Sequence, residues 1–207
     1  RLVLFRSNGA IGGAFAVKTK TNWVYGLKYD YIFGKDVKEW QILNNLITEG
    51  DFIINPNGVP SETDLFERGY AVNGIVGKVS PFLGKIKLGP NKNSGLFYWV
   101  GLGLLQHKIQ IKSDVPQLQD EYIKGYDRLS NGISVSEFIG YLYLGNSRRV
   151  NFYLGFEIYQ AWTKNRRGYN FDTMQVDEEK RLDLLTGFKF GWILPLYKKV
   201  PSEFYYN

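Results

Sequence analysis

The chain has no cysteine, one histidine (His107) and one methionine in 207 residues. Without thiols there is no disulfide, no thiolate nucleophile and no cysteine metal site. A lone imidazole takes histidine triads and multi-histidine metal centres out of the reading, and leaves His107 as a structural or loop-anchoring residue. No apolar run of about 18 residues occurs, which excludes a transmembrane helix. The sequence starts at Arg1 without a basic-then-apolar leader, so any export signal has been removed or was never there. Lys and Arg exceed Asp and Glu by 6, but they are scattered through turns rather than gathered on a stripe, so nucleic acid is not an expected partner. Gly9 to Gly13, GAIGG, lacks both a following Lys-Ser/Thr and a helix pattern. It reads as small residues lining a tight interior, not as a phosphate cradle.

Glycine (23 residues) and aromatics (16%) are plentiful, at a mean hydropathy of only −0.26. The stretch Arg181 to Pro195, RLDLLTGFKFGWILP, shows why these go together. Leu182, Leu184, Thr186, Phe188, Phe190, Trp192 and Leu194 fall on one side of a strand. Asp183, Leu185, Gly187, Lys189, Gly191 and Ile193 fall on the other. One face is an apolar band ending in an indole. The other mixes glycine with a carboxylate and an ammonium, and is too poor in charge to be a water-exposed exterior. That combination predicts a strand in the wall of a transmembrane β-barrel with a narrow lumen.

The same alternation predicts strands over Asn8 to Lys18, Trp23 to Gly34, Arg68 to Leu83, Leu96 to Ile111, Ser130 to Leu144 and Val150 to Thr163. Short turns alternate with three long connections, Lys35 to Glu67, Lys112 to Leu129 and Lys164 to Lys180. Tight periplasmic turns at one rim and long surface loops at the other have this pattern. The long connections hold nine Lys/Arg against fifteen Asp/Glu. The short turns and tail carry Lys18, Lys20, Lys85, Lys87, Lys92, Arg148, Arg149, Lys198 and Lys199 against Glu203, a basic rim suited to phospholipid head groups. Seven strands are counted, whereas single-chain bacterial barrels close with an even number. The eighth is either the short Leu2 to Phe5 segment or lies upstream of residue 1. The expected fold is therefore all-β: one antiparallel, eight-stranded transmembrane β-barrel domain over residues 1–207, of the smallest outer-membrane size class, with 195–207 as a periplasmic tail.

The segments KTKTNWVYG (Lys18 to Gly26), LFERGY (Leu65 to Tyr70), GLGLLQHKI (Gly101 to Ile109), PQL with EYIKGYDRLSNG (Pro116 to Gly132), AWTKNRRGYNFDT (Ala161 to Thr173) and GFKFGWILPLYKKVPSEFYY (Gly187 to Tyr206) resemble a family of small outer-membrane β-barrel proteins of the Bacteroidota. The resemblance implies an eight-stranded barrel in the cell outer membrane, in contact with its lipids, with a strand preceding the segment that matches Asn8. It carries no catalytic residues. By analogy with accessory barrels of secretion, gliding and barrel-assembly machines, it implies a subunit of a larger outer-membrane assembly.

The residues themselves place Lys28, Asp30, Glu137, Glu157, Asp183 and Lys189 in a polar lumen network, where buried charges have to pair. Contact with a partner is assigned to loop aromatics: Trp40, Phe52, Phe66, Tyr122, Tyr126, Tyr169 and Phe171. The alternative is that the loops fold over the barrel mouth and bury these rings. Asp172, Asp177, Glu178 and Glu179 read as a solvated acidic loop that matches no calcium-loop spacing. Arg166 and Arg167 beside Tyr169 are suited to lipid phosphate or to a partner. The functional expectation is a non-enzymatic structural or accessory subunit without a cofactor or metal. The alternatives are a free-standing narrow pore, a lipid- or ligand-binding surface protein, and a membrane hydrolase built on the lumen carboxylates.

Overall fold

Period-two alternation turns into two chemically opposite faces in the computed structural model, which describes residues 2–4, 8–35, 37, 40–50, 52–146 and 150–196. Eight strands form one sheet: β1 (Leu2–Leu4), β2 (Gly9–Lys18), β3 (Trp23–Gly34), β4 (Asp64–Ser80), β5 (Gly95–Lys112), β6 (Ser130–Leu144), β7 (Asn151–Asn165) and β8 (Lys180–Trp192). Their spatial order is β1-β8-β7-β6-β5-β4-β3-β2. Three two-stranded ribbons, Ile53–Ile54 with Pro60–Ser61, Phe82–Leu83 with Ile86–Lys87, and Tyr169–Asn170 with Gln175–Val176, stand apart from it. No α-helix occurs among the described residues, only short 3-10 turns such as Trp40–Leu43. The arginines at 148 and 149 and the tail from residue 197 onward lie outside the described residues.

From β2 to β8 every neighbour pairs antiparallel, while β1 pairs parallel with β8, Leu2 beside Leu182. No ladder joins β1 to β2, so the hydrogen-bonded sheet is not closed. Seven alternating strands leave β2 and β8 pointing the same way. The sheet nevertheless curls strongly. Asp30 on β3 and Lys189 on β8 are five strand spacings apart in the sheet order, about 24 Å if it were flat. Their side chains meet at 2.7 Å.

The predicted ends of β3 and β6 match the structure, but β4 starts at Asp64 rather than Arg68. The cause is its partner: Asp64 pairs with Lys112 and Glu67 with Ile109, so both strands rise above their neighbours and carry Phe66 into the wall. Inside, a lower layer stacks Trp99 on Phe138 with ring centroids 3.8 Å apart, and Phe97 and Tyr153 meet them edge-on. Room for this layer comes from Gly140 and Gly155, paired across β6 and β7. A methyl group on either would lie 2.6 or 2.5 Å from Phe138 Cζ. At the other end, Val37, Ile42, Leu43, Ile53, Leu65, Ile109, Ile111, Val115, Leu118 and Tyr126 bury one another in a roof. It is built by the long connections and the tips of β4 and β5.

The outward face is apolar. Phe188 is 89% exposed, Leu102 66% and Phe15 72%, alongside Ile11, Leu27, Val100, Leu104, Ile133, Ile139 and Phe190. Rings border this band at both ends: Trp23 with Tyr25 and Phe152 with Phe190 near the short turns, Tyr31 with Phe33 and Tyr29 with Tyr70 nearer the roof.

Because Trp99 bridges three rings of the lower layer, Trp99→Ala is expected to lower stability by about 3–5 kcal/mol. Tyr122→Ala in an exposed loop should change it by under about 0.5 kcal/mol. Urea unfolding followed by far-ultraviolet circular dichroism measures both, and equal stabilities would refute the layer's role.

Candidate functional site

The middle of the interior holds a layer of four charges. Lys28 and Asp30 are neighbours on the inward face of β3, Glu157 comes from β7 and Lys189 from β8. Lys28 Nζ lies 3.0 Å from Asp30 Oδ2 and also pairs with Glu157 Oε1. Lys189 Nζ lies 2.7 Å from Asp30 Oδ1 and 3.0 Å from Glu157 Oε2. Each ammonium thus touches both carboxylates, and the four charges cancel. Tyr159 donates its hydroxyl to Asp30 and lays its ring 4.6 Å below Lys28 Nζ. Lys28 is 3% exposed and Asp30 2%. Charges so buried persist only when paired this completely.

Asp183 joins a separate tier nearer the roof. Its Oδ2 lies 2.9 Å from His107 Nε2 and accepts a hydrogen bond from Thr163 Oγ1 at 2.6 Å. His107 is held between strands, in the structural place expected of it. Between the tiers lie Ile32, Ala71, Leu105 and Ala161, with Ser134 donating to Asn73 Oδ1 at 3.0 Å. Tyr159, Asn73, Ser134 and Thr163 escaped sequence reasoning because neutral side chains at inward positions look like ordinary filling. For Tyr159 and Thr163, parity with Glu157 on the same strand was the available signal.

Glu137 does not belong to this network, which corrects its expected place in the lumen. It lies on the outward face of β6 between Val100 and Ile158 on the flanking strands. The inward positions of that strand are Ser134, Ser136 and Phe138, all buried.

The loop aromatics divide. Tyr126 is buried in the roof and Phe171 packs edge-on against it, their rings 5.7 Å apart, so neither is presented to a partner as expected. Phe66 is on β4 with the cations of Arg68 and Lys112 each 5.1 Å from its ring. Phe52, Tyr122 and Tyr169 are exposed. Trp40 is in a 3-10 turn, and its side chain lies outside the described residues.

Loop charges are engaged by the chain's own partners. Arg167 forks onto Asp127, with Nε 2.9 Å from Oδ1 and Nη2 bonded to Oδ2, while Arg128 meets Asp172 at 2.6 Å. Arg166 bonds Asn131. Asp177 Oδ2 accepts from Asn170 at 3.0 Å, Asn165 at 3.2 Å and Arg181. Partial burial pushes the Asp177 carboxyl up, but these donors and the Arg181 charge outweigh it and hold the group below its ordinary value. Of the expected solvated acidic loop, Asp172 and Asp177 are cross-linked instead, while Glu178 and Glu179 are exposed as expected. Among the described residues no cluster of three or more acidic or histidine groups suited to a metal occurs.

In the central layer each of the four charges lies against two groups of opposite sign. Its geometry fits a plug that rigidifies the interior. No protein-family model, curated protein or solved structure matches the chain.

Removing one cation strands two carboxylates on one ammonium, so Lys28→Met should cost about 3–5 kcal/mol. Lys28→Met/Glu157→Leu, which leaves Lys189 with Asp30, should recover most of that loss in equilibrium unfolding. Additive losses would refute the coupling. The depressed Asp177 carboxyl stabilises the loop fully above its ordinary value of 3.8 and loses that contribution as pH falls through its lower folded value. Amide hydrogen exchange over 166–177, corrected for intrinsic rates, should show steady protection from pH 7 to about 4 and a loss below it that Asp177→Asn reduces.

Proposed function

We propose that the chain is the wall of a small outer-membrane β-barrel that acts as a non-enzymatic structural or accessory subunit of a larger outer-membrane assembly. One observation carries the membrane reading: the sheet buries Lys28, Asp30, Glu157 and Asp183 and exposes a broad band of apolar side chains. A water-soluble sheet would bury Phe188, Leu102 and Phe15 and expose Lys28 and Asp30, because covering apolar area is the main drive for folding in water. Lipid reverses that preference.

Several features accord with it. Strands of ten residues or more, β2 to β8, meet the about 9–11 residues a tilted strand needs to cross. Aromatic rings border the apolar band where lipid head groups would lie. Curling brings Lys189 of β8 against Asp30 of β3, the neighbour of the edge strand β2. The resemblance to small barrels of the Bacteroidota points to the same membrane and, by analogy, to an accessory place in a secretion, gliding or barrel-assembly machine.

The filled interior favours a subunit over a pore. Aromatic, ionic and histidine-bearing layers lie one above another beneath an apolar roof, an arrangement that supports a filled interior over an open channel. The saturated ion pairs disfavour a hydrolase.

Refolding into phosphatidylcholine vesicles tests the reading. The protein should insert and acquire a folded form that migrates differently from the boiled one in electrophoresis. Phe156→Arg and Phe188→Arg should each weaken insertion by roughly 2–4 kcal/mol, and Tyr122→Arg should leave it unchanged. Equal tolerance at all three positions, or a wild-type protein that stays soluble and monomeric without lipid, would refute a membrane wall.

A further inference from the structure

The outward carboxylate of Glu137 has no structural reason to be where it is. On β6 its outward companions are Ile133, Val135, Ile139 and Tyr141. Across the flanking strands it faces Val100 and Ile158. No hydrogen bond or ion pair ties it to another described residue. It is also central: seven residues separate it from either end of Ser130–Leu144. At about 3.4 Å per residue and a tilt near 40°, that places it about 18 Å from both rims, against an apolar half-thickness of about 15 Å. Lipid head groups therefore lie beyond its reach. An ionisable group facing hydrocarbon is strongly disfavoured unless something pairs with it.

Its surroundings have the form of a contact surface. Gln160 on β7 and Thr186 on β8 are the other outward polar residues of this face away from the rims. Directly toward the short turns lies an open apolar groove of about 570 Å³, between Ile139, Tyr141, Leu154, Phe156 and Phe188, with Leu83 of the small ribbon at its foot. A carboxylate at the head of an apolar groove matches a side chain that is apolar along its length and cationic at its tip.

We propose that this face of β6, β7 and β8 docks laterally against a second, different membrane-embedded protein that sets a lysine or arginine against Glu137. Charge complementarity selects that occupant. A second copy using the same face would oppose two carboxylates, because between the rims no Lys or Arg points outward from these strands. The outward Lys78 of β4 is only two residues from its strand end and lies 5.1 Å over the Trp23 ring. The polar spots Gln160 and Thr186 fit hydrogen bonding across the same interface.

The inference rests on the membrane-wall reading, and its test keeps the two apart. A photo-reactive p-benzoylphenylalanine is placed at Ile139 or Thr186, and at Leu27 on the far wall as control, in native membranes. The expected result is one protein adduct at Ile139 and Thr186, absent at Leu27, whose contact peptide contains Lys or Arg. Glu137→Gln should lower adduct yield about tenfold or more. The same variant should insert into phosphatidylcholine vesicles at least as well as the wild type, since it removes a charge from the lipid face. Loss of the adduct with insertion intact separates an interface from a folding defect. Adducts with lipid alone, with a second copy of this chain, or with a protein whose yield ignores Glu137→Gln would each overturn the docking proposal while leaving the barrel reading intact. Failure of the wild type to enter vesicles would instead overturn the wall itself.

Discussion

Four buried charges govern how far this sheet has to curl. Lys28 and Asp30 sit on β3, Glu157 on β7 and Lys189 on β8, and none is tolerable in the interior without an opposite charge beside it. Pairing them brings the third strand against the seventh and eighth, which sets the width of the interior. The layers above and below then follow. Small residues where strands approach closely, Gly140 and Gly155 above all, admit the Trp99–Phe138 stack, and the Asp183–His107 pair occupies the wider end beneath the roof. A narrow lumen and an ionic layer are one constraint seen twice.

Much of this was legible in the order of residues, because strand parity is a binary code. In YGLKYDYIFG the tyrosines and leucine fall on one parity and Lys28 and Asp30 on the other. The charges therefore face one side of the sheet and the aromatic row the other. Glu137 shows where the reasoning gave way. It was placed inside because charge belongs inside a barrel, although its own parity grouped it with Ile133, Val135 and Ile139. The misleading element was the inward face of β6, whose Ser134, Ser136 and Phe138 look no more polar than the outward one. Where the two faces differ little in polarity, register has to come from the neighbours, and pairing of Glu137 with Val100 and Ile158 was not visible in one chain segment.

The roof was illegible for a different reason. Its residues, Val37, Ile42, Ile53, Val115, Leu118 and Tyr126 among them, come from connections without a period, so nothing in their spacing says which turn inward. The same holds for the loop charges. Asp127 meets Arg167 across 40 positions of sequence and Arg128 meets Asp172 across 44. Their opposite signs were apparent, but long-range pairing is a product of the wall that brings the loop bases together. Aromatic rings assigned to partner contact therefore split by tertiary accident: Tyr126 and Phe171 seal the roof, while Phe52, Tyr122 and Tyr169 stay outside.

The interior chemistry of this molecule is spent on holding it together. Every charge in the central layer is cancelled, and the mouth is covered by apolar side chains with arginine–aspartate clasps over them. The outside is different. It carries one carboxylate at mid-height whose chemistry the chain itself does not complete, beside a groove that its own residues do not fill. Beside a central layer whose charges are all paired, that incompleteness is the feature most in need of a second molecule. It places recognition on the side of the wall rather than at its mouth.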